Sequence, residues 1–181
     1  MKYTIYTLTI FLFFISSCSS SKTKKLLQGG EVLQKEFKTE IPFEYRRGLI
    51  ILKVNIEGKQ YDFMLDTGAP NVISKELAQQ LNYKNKVKRK VGDSQNVQTK
   101  LGITKIKKIS LGDLDFLNTA AVVSDLSIGA VGCLGIDGLI GANLMRNAIW
   151  KIDYSKQVIT CLLYTSPSPR DRTRSRMPSS A

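Results

Sequence analysis

Asp66 combines three features that a reactive carboxylate needs. It follows the apolar run Phe63-Met64-Leu65, a hydroxyl residue stands next at Thr67, and Gly68 then lets the backbone approach closely. Ala69 completes the segment. Backbone N–H groups and a hydroxyl beside a carboxylate can hold it in one orientation. The same tripeptide also occurs as an ordinary turn with a solvated Asp, so its meaning depends on what accompanies it. The chain contains no His. Ser–His and Cys–His nucleophile pairs and His-containing metal sites are therefore excluded. Three Cys cannot form a four-cysteine zinc site either. Chemistry must rest on Asp, Glu, Lys, Tyr, Cys or the backbone, and neither metal nor cofactor is expected.

A second distinctive segment lies downstream, Gly135-Ile136-Asp137-Gly138-Leu139-Ile140-Gly141-Ala142-Asn143-Leu144-Met145. The apolar pair Leu139-Ile140 meets Gly141, and Ala142 onward can begin a helical turn. Asp137 lies between Ile136 and Gly138 and reads as a turn residue. Glycines recur at 129, 132, 135, 138 and 141, but neither G-x-G-x-x-G nor a P-loop is present, which argues against nucleotide binding. Cys133 reads as a small buried apolar residue rather than a nucleophile, since the chain has no His to activate it.

The elements that must position these residues follow period two. Ile50, Leu52, Val54 and Ile56 alternate with polar neighbours, Glu57-Gly58-Lys59 supplies a turn, and Tyr61, Phe63 and Leu65 alternate again, which predicts a β-hairpin ending just before Asp66. Ser74 caps a short helix over Lys75 to Leu81. Lys84, Lys86, Lys88 and Lys90 share one face of a charged edge strand. That strand and the run Val97 to Ile106 form a second hairpin with the polar tip Gly92 to Asn96. Ile109–Leu111, Leu114–Leu117, Thr119–Val123, Ile149–Asp153 and Gln157–Thr160 read as further short strands. Many short strands and few helices indicate an all-β sandwich or barrel.

D-T-G-A after an apolar strand, with an apolar pair, Gly and Asn-Leu-Met downstream, resembles the pairing of motifs in retropepsin-like aspartic proteases. The resemblance covers about Phe43 to Thr160. Arg146 to Tyr154 further resembles the end of the first lobe in the bacterial lipoprotein-type members. It implies a closed barrel-like sheet with a flap hairpin and one or two short helices. It implies that Asp66 is catalytic, that Thr67 holds two catalytic loops together, and that Gly68 and Ala69 support the loop. It implies that Gly92, Asp93, Ser94, Gln95 and Asn96 form the flap tip over a peptide substrate. Leu139, Ile140, Gly141 and Asn143 would pack beneath the loop. Such enzymes need two carboxylates, and this chain has one D-T-G. The second must come from another copy or from a second lobe. A non-catalytic envelope lipoprotein using the same fold for binding is the alternative.

The ends differ from the middle. Lys2, the apolar stretch Thr4 to Ile15 and Ser16-Ser17-Cys18 describe a secretory signal. The stretch falls short of the about 20 apolar residues that span a bilayer. Ile15 to Cys18 resembles a lipobox, which implies a signal peptide over 1–17 and lipidation of Cys18. Residues 18–36 read as a tether and 37–160 as the globular lobe. The segment after Cys18 lacks acidic residues, which points to a periplasm-facing anchor in a bacterial cell envelope. Residues 161–181 turn abruptly to Ser, Pro and Arg and are expected to be disordered. Their start, CLLYTSPSPRD, resembles the translation of a sequencing adapter. The formal charge of +12 falls to +9 without this tail (four Arg against Asp171) and to +8 without Lys2. The remaining excess is spread out. Lys22, Lys24 and Lys25 would sit near anionic headgroups, and no basic run is interleaved with aromatics as nucleic-acid binding would require.

Overall fold

The computed structural model describes residues 25–85, 87–92 and 98–163. Hairpin chemistry dominates its first half. Strands β2 (Lys38–Arg46), β3 (Leu49–Ile56) and β4 (Lys59–Asp66) follow the two-residue pair β1 (Glu31–Val32). The connections Arg47-Gly48 and Glu57-Gly58 are two-residue turns with positive φ at both positions, the geometry that matches strand twist. Ile50, Leu52, Val54 and Ile56 enter one core, as their alternation predicts. Ile51 is buried as well, on the opposite face, in a second cluster with Met64, Leu134, Ile136 and Leu139.

Downstream run β5 (Val72–Ser74), α1 (Lys75–Gln80), β6 (Val87–Gly92), β7 (Gln98–Leu111) and β8 (Leu114–Ser124). The chain ends in α2 (Gly129–Gly132), β9 (Gly138–Gly141), α3 (Ala142–Met145), β10 (Ala148–Asp153) and β11 (Val158–Leu163). Strands β3, β4, β9, β5, β8 and β7 neighbour one another in that order, and β7 returns to β3 through Asn55 and Ser110, closing a six-stranded barrel. Strands β10, β11 and β2 extend the sheet from β3. The all-β barrel with short helices is therefore present. The Ser74 hydroxyl accepts from the Leu77 N–H at 3.0 Å, capping α1 as expected.

Several boundaries differ from the sequence reading. Ile109–Leu111 is the end of the 14-residue β7, and Leu114–Leu117 and Thr119–Val123 are one strand, β8. Residues 25–36 are not all tether, because β1 pairs with β8 through Glu31 and Val32. The lobe does not end at Thr160: β11 continues through Leu163, bonding to β10 on one side and β2 on the other. Cys161 is fully buried at the centre of that strand, which is why the strand cannot stop at Thr160. Burial pushes its thiol pKa up to about 12. Cys133 reverses the other way. It caps the C-terminus of α2 and is exposed, because Val131, Leu134 and Ile136 fill the adjoining cluster instead. Residues 1–24, including Cys18, and 164–181 lie outside the described residues.

Candidate active site

Asp66 is the last residue of β4 rather than the first beyond it, and it pairs across a parallel ladder with Gly141 of β9. Strand β9 separates β4 from β5, so the loop 67–71 must leave one neighbour of β9 and return on its other side. The loop therefore passes directly over Gly141. A Cβ there would overlap the backbone of Ala69, Pro70 and Asn71. Gly138 is confined in the same way, against the Phe63 ring and the Val72 carbonyl. The two glycines of Gly138-Leu139-Ile140-Gly141 are thus contact requirements, while Ile140 is fully buried in the main core.

Hydrogen bonds fix the loop in this path. The Asn71 N–H donates to the Asn143 Oδ1 at 2.6 Å. The Gly141 N–H donates to the Asn71 Oδ1 at 2.7 Å. Both carboxamides donate to the Ala120 carbonyl on β8, at 3.3 Å from Asn71 and 2.8 Å from Asn143. The Asn71 carbonyl accepts from Val122 N–H, and the Ala69 carbonyl accepts from Ala142 N–H at the start of α3, both at 2.8 Å. Asn71 is 1% exposed and Asn143 9%, so these bonds satisfy groups that would be costly to bury alone.

Above this scaffold the reactive segment reaches solvent. Asp66 is half-buried, Thr67 and Gly68 are exposed, and Ala69 is half-buried. The Gly68 N–H donates to Asp66 Oδ1 at 2.8 Å. One carboxylate oxygen is thereby held by a backbone donor.

Asp137 does more than turn the chain. Its N–H donates to the Asp62 carbonyl at 2.7 Å, its carboxylate accepts from the Asp62 N–H at 2.9 Å, and its carbonyl accepts from the Ser74 N–H at 2.8 Å. It joins β4 and β5 where β9 begins. Beside it, Asp62 is clamped by Lys53 at 2.6 Å and Arg46 at 3.1 Å. Burial raises the Asp62 carboxyl, but hydrogen bonds and charge from Lys53 and Arg46 together outweigh it and hold the group below its ordinary value. Arg46 also donates to the Leu134 carbonyl at 3.1 Å, tying the segment that leads into β9.

Of the residues singled out from sequence, Asp66, Gly68, Ala69, Gly141 and Asn143 meet at one place. Gly92 ends β6, which pairs with β7 through Gly92 and Gln98 at the end of the hairpin where the two strands connect. Asp93, Ser94, Gln95 and Asn96 lie outside the described residues. Asn71 was not singled out. Its only local signal is a polar residue held between Pro70 and the apolar Val72-Ile73, five positions after Asp66.

A family model described as aspartyl protease matches residues 52–144 of the chain. No curated protein matches it. Among solved structures, a retropepsin-like aspartic protease from Rickettsia conorii is similar, with 23% sequence identity and a TM-score of 0.52. The similarity covers 74% of this chain and 92% of that one. At this identity the likeness bears on the fold, which is retropepsin-like.

Proposed function

The chain belongs to the aspartyl protease family, and from that premise we propose that it is an aspartic endopeptidase in which Asp66 supplies one carboxylate of a water-activating pair. The observation that carries the reading is the fixed carboxylate: Asp66 holds the Gly68 N–H at 2.8 Å, on a loop seated over Gly141.

Two carboxylates brought close cannot both ionise easily, so they share a proton. One takes a proton from water as the water oxygen attacks the scissile carbonyl. The other, protonated, donates to the developing oxyanion. The C–N bond then breaks as the amine leaves with a proton. The pair titrates as a unit. D-T-G occurs once in the sequence, so the second carboxylate is supplied by another copy of the chain or by a second lobe. Thr67, exposed beside Asp66, bonds the facing loop in this reading, and the tip Gly92 to Asn96 closes over the peptide. Cys18 carries the lipid that holds the lobe at a bacterial envelope membrane, facing the periplasm.

Asp66→Asn tests the reading, because the amide keeps the shape but cannot take a proton from water. Peptidase activity of the associated or two-lobed protein is expected to fall by at least about 10²-fold, with melting unchanged. Retained activity would reject Asp66 as catalytic and favour a binding role.

A further inference from the structure

The geometry points to a second functional surface, a lysine-lined flank that docks on an anionic membrane leaflet. Two clefts adjoin there. One, of about 350 Å³, is lined by Lys25, Leu26 and Gly29 and shares Lys105 and Asn118 with the other. The second, of about 380 Å³, adds Lys84 and Lys107.

The fold gathers these lysines deliberately from three segments. Lys105 and Lys107 project from β7 on either side of the fully buried Ile106. Lys84 is drawn alongside because the Thr104 hydroxyl donates to its carbonyl at 3.0 Å. Lys25 arrives through the Leu26–Gly29 turn and the pairing of β1 with β8. All four are exposed, and none pairs with a carboxylate among the described residues. Lys53, Lys75 and Lys108 by contrast each have an acidic partner. Glu57 accepts the hydroxyl of Tyr83, which lines the second cleft, at 3.2 Å. Four uncompensated ammonium groups repel one another in solution, and an anionic surface relieves that repulsion.

The membrane is favoured over a nucleic acid by position. Lys25 continues the basic run Lys22 and Lys24 that follows the apolar stretch Thr4 to Ile15. Lys25 lies seven positions after Cys18, a reach of at most about 25 Å, so an anchor at Cys18 brings this flank against the leaflet before any other. The half-buried Tyr83 is the aromatic residue of these clefts, which leaves no platform for stacked bases. The positional step rests on reading residues 1–18 as membrane-directed. The charge step does not.

Amine acetylation of the full chain, located by mass spectrometry, tests both. With phosphatidylglycerol-containing vesicles, Lys25, Lys84, Lys105 and Lys107 should lose reactivity several-fold while Lys151 and Lys156 do not. Neutral phosphatidylcholine vesicles should give no such protection. Replacing the four lysines by Gln should lower partitioning onto the anionic vesicles at least about tenfold, since each lysine near such a surface contributes measurably, with melting unchanged. Equal protection by neutral vesicles, uniform protection of all lysines, or protection by DNA but not by anionic vesicles would overturn the proposal. A chain that ignores neutral vesicles altogether yet shows the anionic footprint would refute the membrane-directed reading of the N-terminus and leave the flank standing.

Discussion

Asn71 and Asn143 bind each other across 72 positions of sequence, and both donate to one carbonyl, that of Ala120. The loop carrying Asp66, the helix α3 and the strand β8 thereby meet at one buried point. The carboxylate is positioned by amide chemistry beneath it rather than by neighbouring charge. Removing either amide leaves partners that water cannot reach.

Asn143→Ala is expected to destabilise the lobe by about 1–3 kcal/mol, the cost of a buried donor left unpaired, here the Asn71 N–H. Denaturant unfolding measures it. Peptidase activity should fall further than the unfolded fraction explains, because Asp66 loses its fixed orientation. A variant of unchanged stability would mean that the loop holds its path without this contact.

Gly141 and Gly68 make opposite predictions although both belong to the site. Alanine at 141 would overlap the backbone of three consecutive loop residues, Ala69, Pro70 and Asn71, which hydrogen bonds hold in place, whereas at 68 the new Cβ meets only Asp66 Oδ1 at 3.4 Å, an ordinary contact. Gly141→Ala should therefore lower stability by several kcal/mol, beyond the about 1–3 kcal/mol of simple overpacking. Gly68→Ala should stay within about 1 kcal/mol of the parent, as substitutions without clash do. Thermal melting of the two variants side by side decides the matter.

How far the sequence carried this arrangement depended on distance along the chain. The β3–β4 hairpin was legible because alternation and the Glu57-Gly58 turn are local signals. Strand β5 was not, since three residues between Pro70 and a helix cap offer no periodicity. Strand β7 looked like two strands because Ile106 and Ile109 are both buried, with Lys107 and Lys108 exposed between them. The ladder with β8 skips Lys107 and Asn118, where Asn118 takes a φ of 55°, and past this break the other face of the strand turns to the core, which ends strict alternation. Asp66 was legible from its tripeptide. Asn71 was not, because its side-chain partners lie 49 and 70 positions away.

The Asp62 clamp predicts an acid-side loss of stability. Its carboxyl sits below the ordinary value in the folded chain, so its contribution is complete above the unfolded pKa of about 3.9 and disappears as the pH falls through the lower folded value. The stability difference between the parent and Asp62→Asn should be constant near neutrality and shrink below that point. Urea midpoints across an acidic pH series would show it, and a difference that grows on acidification would contradict the assignment.

The two described thiols should behave oppositely toward an alkylating reagent. Cys133 is exposed and should react in the native protein, while Cys161 is fully buried with its thiol held protonated. Peptide mapping after brief labelling should find the adduct on Cys133 at once and on Cys161 only after denaturation. Rapid native labelling of Cys161 would mean that β11 opens readily.

The strongest test of where the lobe ends is a pair of truncations. Cutting after Thr160 removes Cys161, Leu162 and Leu163, which pair with Trp150, Ile149 and Ala148 on β10; Cys161 and Leu162 also face Thr39 and Lys38 on β2. It opens the core at a fully buried position, which costs at least about 2 kcal/mol by comparison with large-to-small core changes, and it leaves backbone groups of two strands without ladder partners. Cutting after Leu163 removes only residues whose composition, rich in Ser, Pro and Arg, offers little apolar surface to bury. The first truncation should lower the melting temperature by several degrees, or abolish cooperative unfolding, and the second should leave it unchanged. Equal melting of both would place the boundary at Thr160 after all, and would mean that β2 and β10 hold together without the last half of β11.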